Sequence, residues 1–281
     1  MFGGFFNRMY YGDPRKPDLK KEDLKGNRFK LFTTVLSVRF WQLIQLNLLN
    51  SIFWIPAVLL LHAQAIMLVQ ENAQEGLAVF DITFFILLIP CLLLAGPATA
   101  AASYVIRNWA RDEHAWVWSD FKDAWKENWK QSLVIMLLNG IAIMLFNVNI
   151  RFYDGQYIIS GNFLFVYLKY LMYVIMLIYA MMNIFMFPML VTYRLKLKDI
   201  LRNSFILTMV KLPFTFIVFV FAAAWVILSL MYLASLPFFV VGLSIPALVV
   251  LSYVNWIFDK YINSRISEGT EAEAAEDPAE T

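Results

Sequence analysis

Six stretches of this chain are each long and apolar enough to cross a bilayer as a helix: Leu43 to Val69, Ile82 to Ile106, Leu133 to Asn149, Phe163 to Val191, Pro213 to Leu233 and Phe238 to Phe258. A span takes about 20 predominantly apolar residues, because the hydrocarbon core is ~30 Å thick and a helix rises ~1.5 Å per residue. The third stretch is the shortest and has polar interruptions. The last two are split only by Ala234, Ser235, Leu236 and Pro237, which leaves a short turn between two spans or a re-entrant pair; two full spans is the expectation. The chain is 60% hydrophobic and only 16% charged. Soluble domains sit nearer half apolar and a quarter charged, so the surplus must face lipid. The expected fold is all-α, a polytopic transmembrane bundle of about six spans.

Lys and Arg alternate between flanks. Arg8, Arg15, Lys16, Lys20, Lys21, Lys25, Arg28, Lys30 and Arg39 precede the first span, and the next loop has no basic residue but carries Glu71, Glu75 and Asp81. Arg107, Arg111, Lys122, Lys126 and Lys130 follow the second span; Arg151 stands alone after the third; Arg194, Lys196, Lys198, Arg202 and Lys211 follow the fourth. Cytoplasmic loops carry the excess of basic residues. Alternation over six spans therefore puts both termini in the cytoplasm, in a multi-pass membrane protein. The expected division is a cytoplasmic, interfacial segment over 1–42, a six-helix domain over 43–264 with amphipathic cytoplasmic loops at 107–131 and 192–212, and a disordered acidic tail over 265–281. The positive-inside rule accounts for the basic N-terminal stretch, so no nucleic-acid partner is expected. The N-terminus lacks the apolar core of a cleaved signal peptide. The one cysteine, Cys91, supports neither a disulfide framework nor a Cys-based metal site.

Five of the nine tryptophans fall in one of the cytoplasmic loops. At about 100° per residue, His114, Trp118, Phe121, Trp125 and Trp129 form one aromatic stripe, with Asp120, Asp123, Glu127 and Lys130 opposite. Such a helix either lies in the headgroup region, capping the bundle, or offers aromatic anchors to a partner. The second loop repeats the theme with Leu197, Ile200, Leu201 and Phe205 against Lys198, Asp199 and Arg202. KDAWKENW and KDILRNSF can be laid over each other, which suggests a helix–amphipathic helix–helix unit used twice. The candidate partner-binding residues are Trp118, Phe121, Trp125, Trp129, Leu197 and Leu201. Phe2, Phe5, Phe6, Met9 and Tyr10 form a further aromatic cluster, an interfacial anchor or a packing element.

Within the spans, Asn47, Asn50 and Ser51 share a face, and AGPATAAAS over residues 95–103 combines Gly96 and Pro97 with small side chains. Small residues let helices approach closely, so this span belongs at the bundle centre. The alternative for Asn47, Asn50, Gly96 and Pro97 is the lining of a solute path. Lys169 sits about two turns inside a span, within reach of the headgroups by snorkelling. No HExxH, P-loop or GxSxG motif occurs, and His62 and His114 fall on opposite sides of the membrane. No enzyme chemistry, cofactor or metal is expected, and the lipid bilayer is the first partner.

The segments MFGGFFNRMYYGD, FWQLIQLNLL, GPATAAASYVIRNWARDEHAWVWSDFKDAWKENWKQS and VTYRLKLKDILRNSFILTMVKLP together resemble the YesL-like family of bacterial membrane proteins. The resemblance covers nearly the whole chain apart from the tail, and DFKDAWKENWKQS is its most specific element. GDPRKP replaces a Gly-rich turn expected near residues 12–16. The resemblance implies a polytopic membrane protein whose genes sit beside binding-protein-dependent sugar importers. It points to an accessory or regulatory subunit of a carbohydrate ABC importer, in contact with its permease or ATPase subunits. A small stand-alone transporter or channel is the alternative.

Overall fold

A computed structural model describes residues 28–70, 74–232 and 235–263, with the side chains of residues 30–67, 83–232 and 235–263. The aromatic cluster at Phe2 to Tyr10, most of the basic N-terminal stretch and the acidic tail lie outside the described residues. The described chain is helical, with no strand. It runs α1 (Arg28–Val38), α2 (Phe40–Gln70), α3 (Gln74–Trp109), α4 (Val117–Ser160), α5 (Leu164–Thr192), α6 (Leu197–Val210), α7 (Leu212–Met231), a π-helical turn (Phe238–Gly242), α8 (Ser244–Phe258) and a last π-turn (Asp259–Asn263). Six of these stretches meet the length and composition of a membrane span: Phe40–Met67, Thr83–Trp109, Val117–Ser160, Leu164–Thr192, Leu212–Met231 and Phe238–Asn263. Both last stretches are of spanning length, as expected. The protein is all-α, a multi-pass membrane protein.

Helix α3 is the hub and packs against α2, α4, α5 and α8. Its small residues explain why: Ala95, Ala98, Ala100, Ala101 and Ala102 are all buried. Over half of its most apolar window, 56%, is buried, against 11% for α7, which therefore lies at the periphery with its side chains toward lipid. A Cβ on Gly96 would stand 2.9 Å from the Ser132 carbonyl oxygen of α4, and one on Gly140 of α4 would stand 2.9 Å from Ile89 of α3. The two helices use one glycine each to approach.

The third span differs from its expected limits. α4 is a single helix of 44 residues, about 66 Å long at ~1.5 Å per residue and twice the bilayer core. The Trp-rich segment is thus not a separate helix lying flat in the headgroups. It is the first third of the helix that crosses the membrane. The change from polar to apolar at Ser132 reads as a boundary, yet no glycine or proline occurs between Val117 and Asn139 to break the backbone there. The second amphipathic segment behaves otherwise. α6 ends at Lys211, and Pro213 in the first turn of α7 fixes a new start. The two proposed repeat units therefore differ at their junctions.

Candidate functional site

Basic residues from distant parts of the chain meet at one end of the bundle. The Arg39 guanidinium lies over the Trp109 ring at 5.5 Å. Arg107 donates to the Val191 carbonyl and to Asn108 Oδ1, and stacks on Tyr104 at 4.6 Å. Arg111 pairs with Asp259 at 3.5 Å. Lys211 donates to the Tyr261 hydroxyl, and Tyr193 donates to Asn263 Oδ1 at 3.0 Å. Burial holds the Tyr193 hydroxyl up at about 12, so it keeps the proton that it donates. These contacts join the starts or ends of α2, α3, α5, α7 and α8. α1 also packs on α8, so both ends of the described chain lie at this end.

Helix α4 begins here. Asp120 accepts from the Trp116 backbone N–H at 2.7 Å and puts a negative charge in the first turn, against the positive end of the helix dipole. The aromatic stripe then divides. Phe121 is buried, and half-buried Trp125 packs on Phe53 of α2 with ring centroids 4.5 Å apart. Trp118 and Trp129 stay exposed, at 67% and 45%. The Phe121 ring packs inside the chain. Leu197 and Leu201 are half-buried against the core of their own bundle, and the exposed apolar residues of α6 are Phe205, Ile206 and Val210. Where α3 and α4 cross, a groove of about 410 Å³ is lined by Leu93, Leu94, Pro97, Trp125, Trp129 and Leu133, with Lys126 beside it. Pro97 and two candidate tryptophans thus meet in one place. A second opening, about 520 Å³, lies between α4 and the α5–α6 linker and is lined by Glu127, Lys130, Thr192, Tyr193, Arg194 and Lys196 among others.

The intramembrane candidates take a different role. Asn47 is 1% exposed and makes four hydrogen bonds through its side-chain amide. Nδ2 donates to the carbonyls of Phe238 (2.9 Å) and Phe239 (2.7 Å), and Oδ1 accepts from the N–H groups of Leu243 and Ser244, both at 2.8 Å. These are two i, i+5 pairs at the π-turn, and the one amide bonds to both. Pro246, in the first turn of α8, has no N–H for the Gly242 carbonyl at the end of the π-turn. Sequence reasoning had no access to this contact, because the partners are backbone groups some 190 positions away. Next to it, Asn50 Oδ1 and Ser244 Oγ have no partner among the described residues and line a cavity of about 80 Å³, room for two or three waters at ~30 Å³ each. Deeper amides pair across helices: Asn139 donates to Asn183 at 2.7 Å and accepts from the Tyr179 hydroxyl at 2.9 Å. At the opposite end of the bundle Lys169 binds Asp154 at 2.6 Å, and His62 meets Ser235 at 3.1 Å. Among the described residues no group of His, Cys, Asp and Glu is placed to hold a metal.

Residues 31–150 match the model of a family described as a protein of unknown function, DUF624. The YesL-like family is a DUF624 family, so the resemblance seen in the sequence is supported from α1 through the apolar part of α4. No curated protein and no solved structure matches the chain.

Proposed function

With its assignment to the YesL-like family supported over residues 31–150, we propose that this protein is a non-enzymatic accessory or regulatory subunit of a carbohydrate ABC importer. In this reading its basic end faces the cytoplasm and the membrane is the bacterial cytoplasmic one. The observation that carries the docking role is the first third of α4, ~24 Å of continuous helix at ~1.5 Å per residue that packs one face on the bundle and keeps Trp118 and Trp129 exposed on the other. Exposed indoles on a rigid element are the residues most often found to anchor interfaces. The groove beside Trp129 is walled by span residues and continues to a charged rim at Lys126. That chemistry suits the end of a permease helix as it leaves the bilayer. The importer itself enters through the family's gene neighbourhood, which is association and not mechanism. The non-enzymatic reading is supported by the use of the convergent charged groups, since Arg107, Arg111 and Lys211 each hold a neighbouring helix.

Mild-detergent pull-down of the tagged protein with mass spectrometry tests it. Permease subunits are expected with the native sequence and should fall at least about tenfold with Trp118→Ala plus Trp129→Ala, the loss of one hot-spot residue or more. Phe163→Ala, at an exposed ring of the opposite end, should leave recovery unchanged. Recovery of the protein alone from native membranes would count against the proposal.

A further inference from the structure

The cleft between α4 and the α5–α6 linker takes no part in the docking role, and its chemistry is independent of that role. Its volume, about 520 Å³, falls within the range of small-ligand sites. Three cations line it, Lys130, Arg194 and Lys196, and Glu127 is the one acid in the lining, so three positive charges less one negative leave +2. The side chains of Arg194 and Lys196 make no ion pair with any described residue, and Lys130 only faces the Trp129 ring at 5.5 Å. Arg107, Arg111 and Lys211 at the same end are all engaged within the bundle. Thr192 Oγ1, on the cleft wall, is buried without a hydrogen-bond partner among the described residues. α6 begins at Lys196 with no side-chain cap, so the positive end of its dipole adds to the same field. Thr192 is also the last residue of the fourth span, which sets the cleft at the depth where hydrocarbon gives way to headgroups.

We propose that this cleft binds the phosphate of an anionic phospholipid headgroup. The Arg194 guanidinium offers paired donors to two phosphate oxygens, the two ammonium groups balance its charge, and the Thr192 hydroxyl gains the acceptor that it lacks. The Glu127 carboxylate, an acceptor only, favours a headgroup that also carries hydroxyls. Basic pockets between spans are suited to such headgroups.

Native mass spectrometry of the full chain in detergent, with phosphatidylglycerol, phosphatidylcholine and inorganic phosphate as probes, tests the assignment. Phosphatidylglycerol should be retained in preference to phosphatidylcholine, and the triple variant K130Q/R194Q/K196Q should lose that retention by about tenfold or more. The variant K122Q/K198Q/R202Q removes the same charge at exposed positions outside the cleft and should retain the lipid. Thr192→Val should weaken retention by about two- to tenfold, the worth of one hydrogen bond. Phosphate binding that the cleft variant abolishes, with no preference between the two lipids, would support the anion site and overturn its lipid source. Equal retention by the cleft variant and the native chain, or equal loss in both triple variants, would overturn the site.

Discussion

Asn47 and Asn50 lie one helical turn apart on α2 and look alike in the sequence, yet the structure gives them opposite energetics. Asn47 bonds to four buried backbone groups of the π-turn and the start of α8. Asn50 faces a small cavity with its Oδ1 unpaired among the described residues. Interhelical hydrogen bonds in membranes average well under 1 kcal/mol because the separated helices find other partners. The π-turn groups have no such recourse, and an unmade bond to a buried group costs about 1–3 kcal/mol. Asn47→Leu should therefore destabilise by about 2–4 kcal/mol, while Asn50→Leu, which fills the cavity with methyl groups, should come within about 1 kcal/mol of the native chain. Thermal or denaturant unfolding in detergent measures both; equal losses would contradict the assignment. The cluster of amides was legible in the sequence, as was their most ordinary role in packing. Which amide mattered was not, since that depends on the π-turn that precedes α8, far along the chain. The division of the aromatic stripe was hidden in the same way. Periodicity places Phe121 and Trp129 on one face, but only the neighbouring helices decide that Phe121 and Trp125 are covered and Trp129 is not.

At the scale of elements, the pairing of α3 with α4 organises the bundle, and small residues permit it. The run over 95–103 pointed to a place at the centre because small side chains let helices approach closely. Gly96 has the Ser132 backbone oxygen 2.9 Å from where its Cβ would stand, and backbone cannot move aside. Gly96→Ala should cost about 1–3 kcal/mol through forced separation of the two helices. Gly155→Ala, in the same α4 but with nothing within 4 Å of the added carbon, should be neutral or stabilising by up to about 1 kcal/mol, because it removes backbone freedom from the unfolded chain. Melting curves of the two variants that move together would show that the close approach is not what holds these helices. The continuity of α4 was the element least legible beforehand. A hydropathy reading ends the helix where polarity begins, whereas the backbone ends it only where a proline, a glycine or a cap intervenes. The contrast with Pro213 between α6 and α7 shows the rule within one chain.

For the whole molecule, the alternation of basic and non-basic flanks anticipated the arrangement in space. Arg39, Arg107, Arg111 and Lys211 come from three separate segments and assemble at one end, where each grips a neighbouring element. The opposite end holds the Asp154–Lys169 pair and the turn at Gly161, whose φ of 65° suits a residue without a side chain. The docking and lipid-binding proposals both use the basic end, and the docking role requires it to face the cytoplasm. One helix reaches both sides, so one pair of positions reports on the arrangement. In a Cys91→Ala background, which removes the chain's single cysteine, Lys122→Cys and Ser160→Cys place thiols near the two ends of α4. Treatment of intact cells with a membrane-impermeant maleimide should label Ser160→Cys directly and Lys122→Cys only after permeabilisation. Labelling of Lys122→Cys in intact cells, or of both positions alike, would contradict a single α4 crossing the membrane with its tryptophan end inside.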